Sequence, residues 1–263
     1  MEAPFVVAVL LGLVALWAVA AAREGVGSHG RWRAAAFGAG VLATALTLLT
    51  PLEDWGRDGL VLAQVAQHLA LGDVAAPLLL LGLPTLARRR LRELLERPRG
   101  RAGRLLGRLF TPVGAVALWA GVTYVWFVPA VHIRTVAPGG VHMLDHASFL
   151  LLGALVWLPA FDPRPARAAV AGLTAGGLPW WGRHLYAMIS RAAMLPPALA
   201  LWLSSPESWH PGGGLPFGFA PRKDQVAAAS TLVGFEMVLF SLATVLGFVF
   251  LSVAEGHRRA VER

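Results

Sequence analysis

The chain has 263 residues, of which 56% are hydrophobic and 14% are charged, with a formal net charge of +8 and no cysteine. A soluble domain carries about 25% charged residues, and a disordered chain is poor in apolar residues, so the composition excludes both classes. The absence of cysteine excludes disulfides, iron–sulfur clusters and thiolate metal sites. The sequence therefore predicts a multi-pass protein of the cell inner (plasma) membrane.

Apolar stretches long enough to cross a bilayer recur along the chain, because a hydrocarbon core about 30 Å thick needs about 20 apolar residues in a helix. The stretch 166–182 is also apolar, but glycines and Pro179 interrupt it, which indicates an interfacial or re-entrant segment; eight spans are the alternative. We predict an all-α fold, a single polytopic transmembrane helical bundle over residues 1–263 with seven spans. The spans lie near 4–22, 34–52, 60–84, 110–131, 142–161, 186–204 and 225–254.

The arginines predict the orientation of the bundle. Nine of them lie in the loop 85–109, and basic residues accumulate in cytoplasmic loops. This places the loop inside the cell, the N-terminus outside and the C-terminus inside. Leu91, Leu94 and Leu105 alternate with the arginines, a pattern typical of a cytoplasmic amphipathic segment on anionic membrane lipids. The arginines lie between apolar runs, so we expect no nucleic-acid partner.

Ten tryptophans accompany the spans, among them Trp126, Trp157 and Trp209. Tryptophan is enriched where the hydrocarbon core meets the headgroups. We therefore expect these side chains in interfacial belts.

Polar residues inside the spans form two predicted layers, and each ionisable one costs about 2.5–3.5 kcal/mol to insert, so it needs a partner or a function. The outer layer is rich in histidine, and the inner layer contains two carboxyl groups near mid-depth. The outer layer comprises Gln64, His68, His142, Asp145 and His146, with Asp224 at the start of span seven, and the inner layer comprises Asp73 and Glu236.

The outer layer has the residue types of a metal site. His142 and His146 are four residues apart and share one helical face. Imidazole binds copper, zinc and iron, and the thioether of Met143 suits Cu(I). Asp145 and Gln64 are candidate outer-shell partners that orient the ligands. Alternatively, these histidines bond only water or loop carbonyls; His132 and His210 in the outer loops are auxiliary candidates.

The inner carboxyl groups have two interpretations. Asp73 lies about 140° around the helix from His68, so it faces a different neighbour. Asp73 and Glu236 are either a proton or cation relay or a structural pair that holds facing helices together.

Three motifs resemble the CtaG family of cytochrome c oxidase assembly proteins. They are the run from Val65 to Pro84 with its "QHLALGDVAAPLLLLGLP", the "HMLDH" of residues 142–146, and Asp224-Gln225 before the last span. The resemblance implies a non-enzymatic factor that handles copper for the CuB centre on the extracytoplasmic side. It implies metal-handling roles for His68, His142 and His146, and the subunits of a haem–copper oxidase as partners.

Two positions depart from the family pattern. The family has His-Met-x-x-His in the third span, where this chain has Gln64 in the first histidine position. It also has Trp-His-x-Pro after span four, where this chain has Trp126, Phe127, Val128 and Pro129. The site is therefore altered, reduced to three histidines, or lost.

Two other functions stay open. His68 and His146 come from different spans and could ligate one haem b axially. The chain could also be a structural or accessory subunit of a larger membrane complex without metal. We do not expect an enzyme, because no nucleophile–base arrangement stands out.

Overall fold

The computed structural model describes residues 2–24, 28–96, 107–136, 139–161, 164, 167–210 and 214–261. Every regular element in these ranges is helical. The helices are α1 (Glu2–Ala22), α2 (Ser28–Leu48), α3 (Pro51–Arg57), α4 (Val61–Leu69), α5 (Ala76–Leu81), α6 (Thr85–Glu96), α7 (Pro112–Trp126), α8 (Pro129–His132), α9 (Gly140–Trp157), α10 (Ala169–Ala175), α11 (Trp180–Ala192), α12 (Leu195–Leu203) and α13 (Pro221–Val261). A π-helical turn, Ala70–Ala75, joins α4 to α5.

Five helical stretches of the described chain are long and apolar enough to cross a membrane. A sixth results if α2 and α3, bent by 46° at their junction, count as one span. Helix α7 is apolar but has only 15 residues. The all-α membrane fold is confirmed in this form, while the seven spans and the orientation stay predictions. The five stretches are Ala3–Ala22, Val61–Leu81, Gly140–Ala160, Trp180–Leu203 and Pro221–Val245.

The described part of the segment 166–182 contains the helix Ala169–Ala175 and the start of α11. The seven residues of Ala169–Ala175 extend about 10 Å, too short to span a bilayer. Trp180 and Trp181 do not close this segment; they begin α11. The sixth predicted span therefore starts at 180 and not at 186.

The arginine-rich loop 85–109 begins as predicted with an amphipathic helix. Helix α6 covers Thr85–Glu96, and Arg88 donates to the carbonyl of Leu81 at 2.8 Å. Residues 97–106, which include Leu105, lie outside the described residues. The lipid contact of this loop stays a prediction.

A threonine cap sets where α3 begins. Thr50 precedes Pro51 at the first position of α3 and accepts a hydrogen bond from the Leu52 amide at 3.4 Å. A threonine cap followed by proline is a strong helix start. Because α3 starts at this cap, the chain turns back across the top of α4. There the carbonyl of Gly56 accepts from Gln64 Nε2 at 2.8 Å.

Helix α9 crosses the π-helical turn at two glycines. A Cβ added at Gly153 would lie 2.6 Å from the Cα and the carbonyl oxygen of Gly72. The two backbones therefore touch, as in membrane helix pairs built on small residues. On the other side of Gly72, the ring of Trp119 fills the space that a side chain would need. This contact sets the relative position of α4 and α9, which carry the outer histidines.

The core lies between α4, the π-helical turn, α7, α9 and the helices α11 to α13. Leu71, Leu201 and Trp119 are among its most buried side chains. Helix α1 packs mainly on α2 and α6, and most of its apolar surface faces outward.

Three tryptophans of the predicted interfacial belts bond inside the protein. Trp126 and Trp209 are buried in the core, and Trp126 donates to Ser148 at 2.8 Å. Trp157 is half-buried and donates to a carboxyl oxygen of Asp73 at 3.1 Å. Each indole N–H of these three has a partner inside the protein, as the polar end of a buried tryptophan usually does. The belts themselves stay a prediction.

We predict that Gly153→Ala destabilises the protein by about 1–3 kcal/mol, because the new methyl group overlaps the Gly72 backbone. The measurement is the unfolding midpoint in detergent, followed by circular dichroism. Gly121→Ala is the matched control, since a Cβ at this glycine of α7 meets nothing within 4 Å. Equal midpoints for the two variants would show that the helices do not touch at Gly153.

Candidate metal centre

Three helices bring the outer polar residues together. Helix α4 supplies His68, and α9 supplies His142, Asp145 and His146 one helical turn apart. All four side chains are buried. Helix α3 adds Glu53, whose side chain is 12% exposed. A buried cluster of this composition is costly unless its members pair or bind a cation.

The pair of Glu53 and His142 constrains where protons lie. His142 Nδ1 is 2.7 Å from the carbonyl oxygen of Thr135, and a carbonyl only accepts, so Nδ1 carries a proton. His142 Nε2 faces Glu53 Oε1 at 2.5 Å. A neutral ring would then point a lone pair at a carboxylate oxygen. A proton or a metal cation must lie between these two atoms.

Glu53 also connects to the next turn of α9. Its Oε2 accepts from Gln67 Nε2 at 2.7 Å and lies 3.7 Å from His146 Nδ1. One ligand atom each from Glu53, His142 and His146 can be chosen so that all three lie within 4.8 Å of one another. The spacing of four residues thus places His142 and His146 on one face of α9, as predicted, and their ring centroids lie 4.4 Å apart.

A second group of ligand atoms overlaps the first at His146. His68, Asp145 and His146 also place one ligand atom each within 4.8 Å of one another. His68 Nε2 lies 2.8 Å from Asp145 Oδ2, and its ring stacks on Phe149 with centroids 3.8 Å apart. This stacking fixes the plane of the ring.

Two atoms of this second group have no hydrogen-bond partner in the described chain. They are His68 Nδ1 and Asp145 Oδ1, and both are buried. An unpaired buried polar atom usually costs about 1–3 kcal/mol. Asp145 therefore does more than orient a ring, since one of its oxygens is available as a direct ligand.

A pocket of about 430 Å³ leads to the cluster from the side of the bundle. Its walls are mainly apolar residues of α1 and α2, and it reaches Glu53, His142 and His146. Met143 lines the same pocket, so its thioether lies where an approaching ion would pass. The carboxylate and imidazoles are accessible from this pocket although they are largely buried.

The two departures from the family pattern occupy different places. Phe127 is buried against the cluster, with its ring centroid 6.4 Å from that of His68. A histidine at this position would therefore neighbour His68. Gln64 is buried and bonds the Gly56 carbonyl, so it supports α3 and is not among the two groups of ligand atoms.

The auxiliary candidates His132 and His210 lie beside the cluster at the outer end. His210 Nε2 is 2.8 Å from Asp224 Oδ2, so its ring is held by a carboxylate. Burial and the neighbouring His68 lower the pKa of His132 to about 3. His132 is thus a neutral imidazole, and its buried Nε2 has no partner among the described residues. Its ring lies against Trp209, with centroids 4.8 Å apart.

Asp224 holds the start of α4. Its two carboxyl oxygens accept from the amides of Val61 at 2.7 Å and Leu62 at 3.0 Å. The first amides of a helix have no intrahelical acceptor, so a carboxylate from α13 caps the helix that carries His68. The adjacent Gln225 donates to the Leu201 and Ser204 carbonyls and ties α13 to the end of α12.

The inner layer is an ionic cluster built around Arg191. Arg191 of α11 donates to Asp73 Oδ1 and lies 3.6 Å from Glu236 Oε1. Its guanidinium also lies over the ring of Trp157, at 5.0 Å from the centroid. Asp73 therefore faces a different neighbour from His68, as predicted, and the two carboxyl groups meet at one arginine.

Two residues of these clusters are missed by reasoning from the sequence. Glu53 falls in a predicted loop between spans, although it is one of few acidic residues near the span ends, and the structure places it in α3. Arg191 falls inside the sixth predicted span, and an arginine inside a span is itself a signal of an acidic partner.

The comparisons with known proteins decide the family. The model of the cytochrome c oxidase caa3 assembly factor family matches residues 13–254. The chain belongs to this family. Neither the comparison with curated proteins nor that with solved structures finds a match.

Membership in the caa3 assembly factor family confirms the resemblance seen in the three motifs, and the match includes every candidate residue of both layers. It establishes a role in cytochrome c oxidase assembly and association with oxidase components. In this family member, the Asp-Gln motif caps α4 and joins α13 to α12. The "HMLDH" motif supplies three buried polar side chains of the cluster.

We predict that Asp224→Ala destabilises the protein by about 2 kcal/mol, at the upper end for loss of a helix cap, because α4 loses its acceptors. Asp224→Asn retains one side-chain oxygen and should lose less. Unfolding midpoints in detergent measure both effects. The control is Glu207→Ala, an exposed carboxyl in the segment between α12 and α13, and a loss as small as that of the control would contradict the capping role.

Proposed function

We propose that this protein carries copper for the CuB centre of cytochrome c oxidase and acts as a carrier, not as an enzyme. It does so as a multi-pass protein of the plasma membrane, with His68, His142 and His146 near the extracytoplasmic face. Copper is its cargo. The observation that carries the proposal is the commitment of His142 Nδ1 to Thr135, which turns Nε2 and Glu53 Oε1 toward a shared cation.

The chemistry of the donors supports a transition metal. Three imidazoles and two carboxylates offer nitrogen and oxygen ligands, a set that suits copper or zinc better than magnesium or calcium. The unpaired His68 Nδ1 and Asp145 Oδ1 are buried donors whose cost a bound ion offsets. Met143 adds a thioether on the pocket wall, which favours Cu(I) over zinc.

The overlap of the two groups suits a carrier. The pocket is lined by the first group of ligands, Glu53, His142 and His146. It is not lined by His68 or Asp145, which complete the second group with His146. Because His146 belongs to both groups, an ion can change its other ligands while it keeps this one. Release then takes place from the group that faces the pocket.

Proton balance accompanies uptake. Without metal, a proton lies between His142 Nε2 and Glu53 Oε1. When copper binds Nε2, that proton leaves to solvent through the pocket, and the Nδ1 proton stays on the ring, where it is donated to the Thr135 carbonyl. Metal binding to imidazole generally releases protons, so affinity falls as the pH falls.

We predict that the purified protein binds copper and that His142→Ala combined with His146→Ala lowers the affinity at least about a hundredfold, because removal of a residue that only orients a metal ligand already costs about 10–100-fold. Titration with Cu(I) against a chromogenic chelator measures the affinity. The control is His184→Ala on α11. His184 is suitable because it lies away from the cluster. Two residues after it, the Tyr186 hydroxyl donates to the carbonyl of Val156, at the end of α9 opposite His142 and His146.

The same variants separate the possible outcomes in cells. Loss of mature oxidase in the double variant, with normal levels in the control, is expected. No copper binding together with normal oxidase maturation in the double variant would overturn the proposal and favour an accessory subunit. A Soret band in the purified protein would instead indicate haem b at His68 and His146.

We further predict that Phe127→His raises copper affinity by about tenfold or more, because it adds an imidazole beside His68 at the position where the family has histidine. The chelator titration measures it. Phe149→Leu is the comparison variant: it removes the ring that stacks on His68 without adding a ligand and should lower affinity. Unchanged affinity in Phe127→His would place the bound ion at the pocket-facing group alone.

A further inference from the structure

A large pocket lies at the end of the bundle opposite the histidines. It has a volume of about 870 Å³ and is formed where α1 ends, α2 begins and α6 begins. Arg23, Arg31, Arg33 and Arg89 line it, with Glu24 as the one acidic residue of its lining. The lining therefore has a formal excess of three positive charges.

Glu24 does not neutralise this charge, because its carboxylate is already used. It accepts hydrogen bonds from the amides of Thr85, at 2.9 Å, and of Leu86, and thereby caps α6. Although burial opposes ionisation, these amides and the nearby Arg33 lower the pKa of Glu24. Glu24 is thus ionised, and its charge stabilises the start of α6.

Two neighbouring arginines have donors without acceptors. The Nε atoms of Arg33 and Arg88 are both buried and unpaired in the described part of the chain. The other hydrogen bonds of these two side chains go to neutral acceptors. Arg33 donates to Thr85 Oγ1 at 2.7 Å, and Arg88 donates to the Leu81 carbonyl at 2.8 Å. Burial and the neighbouring Arg33 guanidinium lower the pKa of Arg88. Of these two arginines, Arg33 lines the pocket, and an anion there would give its buried Nε a charge-assisted hydrogen bond.

The chemistry of the pocket selects the anion. Guanidinium groups match phosphate oxygens with paired hydrogen bonds. Next to the arginines, the wall consists of Ala18, Ala21, Ala22 and Ala34 with the indole of Trp17. Trp17 is fixed by a 2.8 Å hydrogen bond to the Gly82 carbonyl and by stacking on Phe37. A charged end and an apolar wall together suit a headgroup with the start of an acyl chain.

We propose that this pocket binds a phosphate monoanion, supplied by the headgroup of an anionic phospholipid, at Arg31, Arg33 and Arg89. The bound lipid joins α1, α2 and α6. This joint matters because α1 has few other contacts in the described chain, and α1 also forms a wall of the pocket that leads to the histidines. The site shares no residue with the two groups of candidate metal ligands.

The test measures the unfolding midpoint of the detergent-purified protein with three additives. They are dioleoyl phosphatidylglycerol, dioleoyl phosphatidylcholine, and inorganic phosphate against sodium chloride of equal ionic strength. We expect phosphatidylglycerol to raise the midpoint and phosphatidylcholine to leave it unchanged. Arg31→Gln combined with Arg89→Gln should weaken the phosphatidylglycerol response at least about tenfold in the lipid concentration required, since each arginine contributes to anionic-lipid attraction.

Both replaced arginines are exposed, so this double variant should fold, and Arg33→Gln tests the buried donor separately. Arg90→Gln is the matched control, because Arg90 is an exposed arginine of α6 that pairs with Glu93 outside the pocket. Stabilisation by inorganic phosphate as well supports the anion site with free phosphate as a second source. Equal effects of the two lipids, or an equal loss in the control, would overturn the proposal. Copper titration of the same variants distinguishes this failure from failure of the copper function.

Discussion

Ionisable side chains buried in an apolar helical bundle must find partners, and this requirement organises the whole structure. His68 pairs with Asp145, His142 with Glu53, His210 with Asp224, and Asp73 with Arg191. Every pair joins two different segments of the chain. The same groups that are costly to bury therefore hold the bundle in register, and removal of one partner leaves an uncompensated charge.

The outer pairs differ from the inner one in what they leave unsatisfied. Arg191 brings two carboxyl groups to one guanidinium, an arrangement that suits a structural joint. In the histidine cluster, His142 Nε2 faces a carboxyl oxygen of Glu53. His68 Nδ1 and Asp145 Oδ1 have no partner among the described residues, and a pocket leads to the cluster. This combination is what a site needs to take up and release a cation. The Gly72 and Gly153 contact and the Asp224 cap hold its two helices in place.

Helix α1 connects the two ends of the molecule. Its first turns line the pocket that leads to His142 and His146, and its last turn lines the arginine-rich pocket at the other end. It packs on α2 and α6 and buries little of its surface. An anion held between α1, α2 and α6 would thus set the position of one wall of the pocket that leads to the histidines.

The sequence by itself determined the membrane class, the helical nature of the chain and the residues of both polar layers, because hydrophobic length and the cost of buried charge are local properties. The four-residue spacing of His142 and His146 likewise specified one face. Only the tertiary structure shows that Glu53 contacts that face, that Trp157 donates to Asp73, and that Arg191 pairs with two carboxyl groups. These contacts join segments up to 118 residues apart, and they depend on glycine crossings and bends that no local pattern encodes.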